Sequence, residues 1–332
     1  MARIYNGNVI PMPKRFARYA AAVLAYNLAV VLWGAYVRAT GSGAGCGNHW
    51  PLCNGEVVPQ TPAIATLIEF THRATSGIDV VLVAVLMVWA FRVFPRRHPA
   101  RLGAMLSGFF LATEALIGAM LVKLEHVAHN ASVGRAYSLS AHQTNTLTLL
   151  ACLTLTAWWG LGAARLRPRG RPVWLVAVGL GLFILAATSG AITALGDTLF
   201  PAGSLAAGLQ QDFDPAAHLF VRLRAFHPLL AVLAGGWLIY FGAKAAARLP
   251  GAKWFARSVW LLVGLQISAG AINLLLLAPV WMQMVHLLTA DLLWIAFVLL
   301  SAYTLQDSSR SADLVVDEMV PGLDRFERAG PK

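Results

Sequence analysis

The sequence has few charged residues and very few acidic ones. Only 12% of its 332 residues are charged, and 15 Asp and Glu stand against 26 Lys and Arg. A soluble domain averages roughly 25% charged residues, so this composition argues against a soluble protein. Because 58% of the residues are hydrophobic, the composition is typical of a polytopic membrane protein.

Cysteine is also scarce, with three residues in all. Cys152 lies within an apolar stretch and is interpreted as an inert core residue. Cys46 and Cys53 lie seven residues apart in a predicted outer loop, where an oxidising compartment allows a disulfide. The sequence leaves open a structural disulfide, a redox-active pair or a metal site that includes His49, and one histidine is a weak zinc signal.

Long apolar stretches fill most of the chain. Each is long enough to cross a bilayer, which takes about 20 residues. No signal peptide is apparent, because the first stretch is too long and lacks a small-residue cleavage site. The predicted spans are 17–38, 71–92, 102–122, 141–163, 173–193, 224–243, 257–277 and 281–303.

The basic residues predict the orientation of the chain. With the N-terminus inside, 20 of the 26 Lys and Arg fall in inner segments and six in outer ones, which satisfies the positive-inside rule. We therefore expect a multi-pass protein of the cell membrane with both termini cytoplasmic. Anionic lipid of the bilayer is sufficient to explain the net charge of +11, and no nucleic-acid partner is expected.

The second half of the sequence repeats the first. Residues 113–124 align with 265–276, which pairs Glu114 with Gln266. Parallel repeats are a known way to build membrane proteins, so we predict an all-α fold with eight transmembrane helices in two pseudo-symmetric four-helix bundles. The predicted segments are a leader (1–16), a first bundle (17–164), a basic linker (165–172), a second bundle (173–304) and a polar cytoplasmic tail (305–332).

Four histidines share one predicted depth. His72, His142, His227 and His286 each lie near the outer end of an even-numbered span. An unpaired imidazole in lipid is costly, so each needs a partner. Hydrogen bonds between helices are one explanation. Axial ligation of two haems, by the first two and by the last two histidines, is the other, because bundle cores commonly hold such cofactors.

The two halves differ one helical turn before the first histidine of each pair. Glu69 precedes His72, whereas Arg224 precedes His227. A buried glutamate can move protons, which suggests chemistry in the first half and electron storage in the second. The alternative is an ion pair of Glu69 with Arg73 or Arg38 at the interface. Cations near the same end would either pair with haem propionates or extend to the membrane interface; they are Arg38, Arg73, Arg222 and Arg224.

Several motifs resemble the haem A synthases. They are VRATGSGAGCGNHWPLCNG (37–55), EFTHR (69–73), AHQTN (141–145), TSGAITALGDTLFP (188–201) and the segments around His227 and His286. The resemblance implies oxidation of the C8 methyl group of haem O to a formyl group, giving haem A for terminal oxidases. It also implies a haem O-producing farnesyltransferase as a pathway neighbour and an electron-transfer partner in the membrane or in solution.

The resemblance assigns roles to individual residues. Glu69 would be the catalytic carboxylate, with His72, His142 and Arg73 binding the haem O substrate. A resident haem B would be held by His227 and His286, with Arg224 on a propionate. The Cys46–Cys53 pair would be the outer-loop disulfide of the family. The number of copies that assemble, including a homo-oligomer, is left open.

The sequence departs from the family in three places. Many members have His-Arg in both halves, whereas Pro228 follows His227 here, and residues 188–223 lack a second cysteine pair. Glu114 stands where glutamine is expected. Two other functions compete with the synthase: a diheme b-type electron carrier linked to quinol, which needs no carboxylate at one site, and a haem-transport or assembly chaperone.

Overall fold

The computed structural model describes residues 2–5, 8–11 and 14–306. Most of the predicted cytoplasmic tail, from residue 307 onward, lies outside these described residues. Within the predicted leader, two short strands pair as an antiparallel hairpin, β1 (Ala2–Tyr5) and β2 (Asn8–Pro11). The leader was expected only to be short and basic, so the hairpin is a feature that composition did not indicate.

Helices form nearly all of the remaining described chain, which confirms the all-helical character. They are α1 (Lys14–Ala39), α2 (Ile64–Val93), α3 (Pro99–Lys123), α4 (Val133–Gly160), α5 (Arg171–Leu199), α6 (Leu205–Phe213), α7 (Leu219–Leu223), α8 (Phe226–Arg248), α9 (Ala252–Leu275) and α10 (Val280–Leu305), with a single 3-10 turn at Ser42–Ala44.

Seven helical stretches among the described residues are long and apolar enough to cross a membrane, with α7 and α8 counted as one stretch, Leu219–Arg248. A multi-pass membrane protein is therefore supported. The remaining long helix, α4, has 28 residues but is rich in Ser, Thr, Gln and Asn, so its polarity keeps it out of this set. Its assignment as an eighth span remains a prediction.

Most helices begin a few residues before their predicted spans, and α2 and α4 begin seven and eight residues earlier, where polar contacts extend the apolar run. Helix α2 begins at Ile64 rather than 71, so Glu69 lies within the helix and not at its entrance. Helix α4 begins at Val133 rather than 141, where the Ser132 side chain accepts a hydrogen bond from the Arg135 N–H. The short helices α6 and α7 were not predicted, because a few apolar residues do not distinguish a short helix from a loop.

Helix packing groups the long helices into two rings of neighbours. Helix α1 contacts α2 and α4, and α3 contacts the same two helices. Likewise α8 contacts α5 and α9, and α10 contacts the same two helices. The groups meet through α4 against α5 and α10, and through α1 against α10. Trp294 on α10 donates to the Leu147 carbonyl on α4 at 2.7 Å, within a hydrophobic core that spans both groups.

Candidate functional site

The first two candidate histidines both belong to the first ring of helices. His72 on α2 and His142 on α4 are each more than two turns inside their helices. The His72 ring packs on Gly34 of α1, where an added Cβ would lie 2.9 Å from its Cε1. Buried Nδ1 of His72 has no hydrogen-bond partner. Nδ1 of His142 is 3.4 Å from Glu114 Oε1, without full hydrogen-bond geometry.

The second two histidines face each other in the second ring. The rings of His227 on α8 and His286 on α10 have centroids 6.4 Å apart and lie nearly perpendicular. His227 Nδ1 is 3.0 Å from the Ser189 hydroxyl. A Cβ on Gly190 would lie 2.9 Å from His227 Cε1, and one on Gly270 would lie 3.0 Å from His286 Cε1. In both rings, a neighbouring helix therefore provides glycine where an imidazole needs space.

These imidazoles fit axial ligands of haem iron. The ring centroids of His227 and His286 are 6.4 Å apart, which would leave room for one metal ion between them, given metal–nitrogen bonds of about 2.0–2.1 Å. Nδ1 of His72 is buried without a hydrogen-bond partner, so helix-to-helix hydrogen bonds do not account for all four side chains. The assignment of the four to haem iron remains a prediction.

The aligned pair Glu114 and Gln266 occupies matching positions beside the second histidine of each ring. Glu114 Oε1 accepts from the Thr146 hydroxyl, and Gln266 Oε1 accepts from the Thr289 hydroxyl. Glu114 Oε2 also accepts from Asn145 Nδ2 at 2.6 Å. The alignment of the two halves anticipated the Glu–Gln pair, whereas the two threonines and Asn145 were missed. Each of these three residues follows the second histidine of its ring by three or four positions. Residues at that spacing share a helix face, so the sequence pattern could have indicated them.

Glu69 is 4% exposed and has both carboxylate oxygens occupied. Its Oε1 accepts from Arg73 Nε at 3.1 Å, and its Oε2 accepts from the Cys46 backbone N–H at 2.8 Å. Arg73 also donates to the carbonyls of His49 at 2.7 Å and Leu52 at 2.6 Å. The ion pair that was the alternative explanation of Glu69 is therefore present, with Arg73 as the partner, and it ties the carboxylate to the outer loop.

Cys46 and Cys53 form a disulfide with an S–S distance of 1.98 Å, as predicted. Among the described residues, no three His, Cys, Asp or Glu side chains are grouped to hold a metal ion. The metal-site interpretation of this loop with His49 therefore gains no support. Cys152 is a buried free thiol, in agreement with its interpretation as a core residue.

The disulfide loop packs directly on the start of α2. The Gly45 carbonyl accepts from the Thr66 hydroxyl at 2.7 Å. A Cβ at Gly45 would lie 2.4 Å from the Ala65 backbone carbonyl carbon, so only glycine permits this approach. The contact holds the next residue, Cys46, where its N–H reaches Glu69.

Arg224 is 8% exposed and lies between two aspartates. It pairs with Asp197 at 2.9 Å and with Asp212 at 2.8 Å, and Gln211 accepts from it at 3.4 Å. Its role as a propionate partner remains a prediction, and a propionate there would have to compete with two carboxylates. Sequence reasoning missed both aspartates, because they lie far apart from Arg224 along the chain. Arg222 is exposed.

Arg38 at the outer end of α1 connects the two rings. Its guanidinium donates to the Ala194 carbonyl at 2.8 Å, the Thr198 hydroxyl at 3.0 Å and Gln283 Oε1 at 2.8 Å. Those acceptors lie on α5 and α10. Glu69, which was suggested as a partner of Arg38, pairs with Arg73 instead. Arg38 is thus a first-ring side chain whose hydrogen bonds lie in the second ring.

Comparison with known proteins identifies the family. The model of the COX15-CtaA family, described as cytochrome oxidase assembly protein, matches residues 17–298. The chain belongs to this family. This result confirms the family that the sequence motifs predicted.

Relatives of this family member differ in how much they share with it. It is 49% identical over 308 residues to a protein named protoheme IX farnesyltransferase from Thermus thermophilus, an alignment that covers 92% of this chain and 51% of the Thermus protein. The chain thus spans about half the length of that relative. It is 43% identical over 110 residues to the heme A synthase of Bacillus mycoides, covering 33% of this chain and 35% of that protein.

Proposed function

We propose that this protein is a haem A synthase, which oxidises the C8 methyl group of haem O to a formyl group for use in terminal oxidases. The family assignment supports a role in cytochrome oxidase assembly, and the match to the Bacillus heme A synthase supports the reaction. The observation that carries the proposal is the buried Glu69 one helical turn from His72, where the second ring has Arg224 before His227.

The proposed architecture is two four-helix bundles joined by a basic linker, in the segments predicted from the sequence. The closed contacts among α1–α4, and among α5 and α8–α10, support it. We include α4 as the eighth span, because it lies between α1 and α3 in the first ring. Both termini are placed on the cytoplasmic side, on the basis of the basic inner segments.

In the first bundle, His72 and His142 would hold the haem O substrate, and Glu69 would accept a proton during oxidation of the methyl group. The ion pair with Arg73 and the Cys46 N–H keep the Glu69 carboxylate in one position. The disulfide would then be a support for this geometry, because it closes the loop whose N–H contacts the carboxylate. Positioned carboxylates are common general bases.

In the second bundle, His227 and His286 would hold a resident haem B. When bound, that haem would accept electrons and pass them to an external partner. The perpendicular, facing imidazoles and the glycines beside them favour a bis-histidine site here. Arg224, held by Asp197 and Asp212, would close the outer end of this bundle and direct its remaining donors towards a propionate.

We also propose that the protein works beside a haem O-producing farnesyltransferase. The Thermus relative bears a farnesyltransferase name, although this chain matches only about half of it. We assign the farnesyl transfer to the unmatched half of that relative. Proximity of the two activities would deliver an apolar substrate without release into the bilayer. Co-expression with a separate farnesyltransferase should therefore raise the yield of haem A.

Acid extraction of haem from the purified full-length protein, followed by chromatography and mass spectrometry, tests the proposed reaction. After co-expression with a source of haem O, we expect haem B together with haem O, its hydroxylated product or haem A. Haem B alone would favour the diheme electron carrier, since a carrier leaves its haems unaltered. Unaltered haem O that transfers to another protein would favour a transport chaperone. Either result would contradict the synthase.

A further inference from the structure

The aligned positions Glu114 and Gln266 differ in charge, although each accepts a hydrogen bond from a threonine hydroxyl on the helix of the second histidine. Glu114 Oε1 is 3.4 Å from Nδ1 of His142. In the second ring, Gln266 Nε2 is 3.3 Å from the other ring nitrogen of His286, Nε2, while Nδ1 of His286 has no partner. One histidine therefore faces an anionic acceptor through Nδ1, and its counterpart faces a neutral amide.

The Glu114 carboxylate is held in place by two polar neighbours. Asn145 Nδ2 donates to Oε2 at 2.6 Å, and the Thr146 hydroxyl donates to Oε1. Asn145 is itself oriented, because its Oδ1 accepts from the Thr113 hydroxyl at 2.7 Å and its Nδ2 also donates to the Phe110 carbonyl at 2.9 Å. A carboxylate fixed in this way presents one oxygen to the imidazole, with little freedom to turn aside.

No lysine or arginine pairs with Glu114 in the part of the chain that the structure describes; the ion pair recorded for it is the one with His142. Its side chain is 17% exposed. A largely buried carboxylate needs a partner that can donate a proton or a charge-assisted hydrogen bond. The Nδ1–H of His142 is a donor within reach, and its use leaves Nε2 available for a metal.

We propose that Glu114 is a positioning residue that accepts a hydrogen bond from His142 Nδ1–H, directs Nε2 to the haem of the first bundle and strengthens it as a donor. This inference rests on the proposed haem assignment. A carboxylate behind a metal-bound histidine fixes the tautomer and raises ligand basicity. A more basic ligand favours ferric over ferrous iron, so this contact would give a haem in the first bundle the lower reduction potential and would favour electron transfer from the first bundle to the second.

The test compares Glu114→Gln with the reciprocal Gln266→Glu in the full-length protein, purified after co-expression with a haem O source. The readouts are the midpoint potential and the low-spin electron paramagnetic resonance spectrum of each haem. A His227→Ala background isolates the first-bundle haem. The glutamine variant removes the anionic acceptor beside Nδ1 of His142, whereas the glutamate variant adds a carboxylate beside Nε2 of His286.

We expect Glu114→Gln to raise the potential of the first haem alone. A tenfold change in the ferric-to-ferrous binding ratio corresponds to about 59 mV for a one-electron couple. Gln266→Glu should not produce the reverse shift at the second haem, because residue 266 faces Nε2 of His286 and not Nδ1, and Glu114→Asp should partly restore the wild-type value of the first. Selective loss of the first haem in Glu114→Gln, with the second retained, also supports the positioning role.

Unchanged potentials and spectra in Glu114→Gln, with both haems bound, would overturn the inference. This failure differs from failure of the proposed function. If wild-type protein leaves haem O unaltered but the potential shift occurs, Glu114 keeps its role and the synthase assignment is wrong. If wild-type protein converts haem O and the potentials do not respond, the synthase assignment stands and the role of Glu114 is wrong.

Discussion

At the scale of single residues, Glu69 carries the chemical hypothesis. We predict that Glu69→Gln keeps haem bound but lowers conversion of haem O by at least about 100-fold, because a positioned general base contributes roughly 10²–10⁴-fold. The amide can still accept from the Cys46 N–H, so the loop contact is largely preserved. Extracted haems, quantified by chromatography against bound-haem absorbance, measure the effect.

Glu56→Gln is the matched control for Glu69. Glu56 lies in the same disulfide loop and is exposed, and its side chain accepts from the Gln60 N–H at 3.2 Å. It should convert haem O as the wild type does. Conversion at the wild-type rate in Glu69→Gln would remove the carboxylate from the catalytic role and leave it with the ion pair to Arg73.

The glycines beside the histidines permit a second test at this scale. We predict that Gly190→Ala lowers the low-spin absorbance of the resident haem, because the new Cβ would lie 2.9 Å from His227 Cε1. Spectra of the reduced and oxidised protein measure this loss. Gly118→Ala is the control, since nothing lies within 4 Å of a Cβ there. Normal low-spin absorbance in Gly190→Ala would show that His227 does not need this close approach.

At the scale of helices, hydrophobic runs predicted where the long helices are but not where they begin. The run in α2 starts near residue 71, yet the helix starts at Ile64, since the Thr66 hydroxyl finds its acceptor on a loop that is distant in sequence. The same limit hid Asp197 and Asp212, whose partner Arg224 is brought to them only by the folded chain. The repeat, by contrast, predicted Glu114 and Gln266 correctly, because equivalent positions in a repeat inherit equivalent neighbours.

The start of α3 predicts a pH dependence of stability. His98 is the N-cap residue, its Nδ1 accepts from the Ala100 N–H at 3.2 Å, and its ring stacks on Phe94 with centroids 4.2 Å apart. Burial, together with the charges of Arg165 and Arg101, lowers the pKa of His98 from 6.5 to about 4. The folded protein therefore holds this side chain neutral.

The sign of the effect follows from proton binding. Between pH 6.5 and 4 the unfolded chain binds a proton at His98 that the folded chain does not, so stability falls as the pH falls through this window. After solvent screening the loss is of the order of 1 kcal/mol, or about 1–2 °C in melting temperature for a protein of this size. Thermal melting in detergent at pH 7 and pH 5 measures it.

His98→Asn provides the comparison, because asparagine is a good N-cap that does not titrate. Between pH 7 and pH 5, the melting temperature of the variant should fall less than that of the wild type, whatever the absolute stability of the variant. An equal loss in both proteins would assign the pH dependence to other groups.

At the scale of the whole molecule, the two rings close their outer ends with ion pairs of opposite arrangement. In the first ring a glutamate before the histidine pairs with Arg73 and the disulfide loop. In the second ring an arginine at the equivalent position pairs with Asp197 and Asp212. Each ring thus has a buried ion pair at this position, but the carboxylate precedes the histidine in only one ring. Under the proposed function, this difference would allow one bundle to do chemistry while the other stores electrons.

Arg38 joins the two rings, and its removal tests whether they depend on each other. We predict that Arg38→Gln lowers the melting temperature by several degrees, because three acceptors on α5 and α10 lose a charged donor and each such hydrogen bond contributes about 1.5–3 kcal/mol. The same variant should slow electron exchange between the two bound haems, since the contact that aligns the rings is lost. Arg222→Gln, a change at an exposed arginine, should affect neither property. If Arg38→Gln melts as the wild type does, packing of α4 and α1 against α10 is sufficient to hold the rings together, and Arg38 has only a local role.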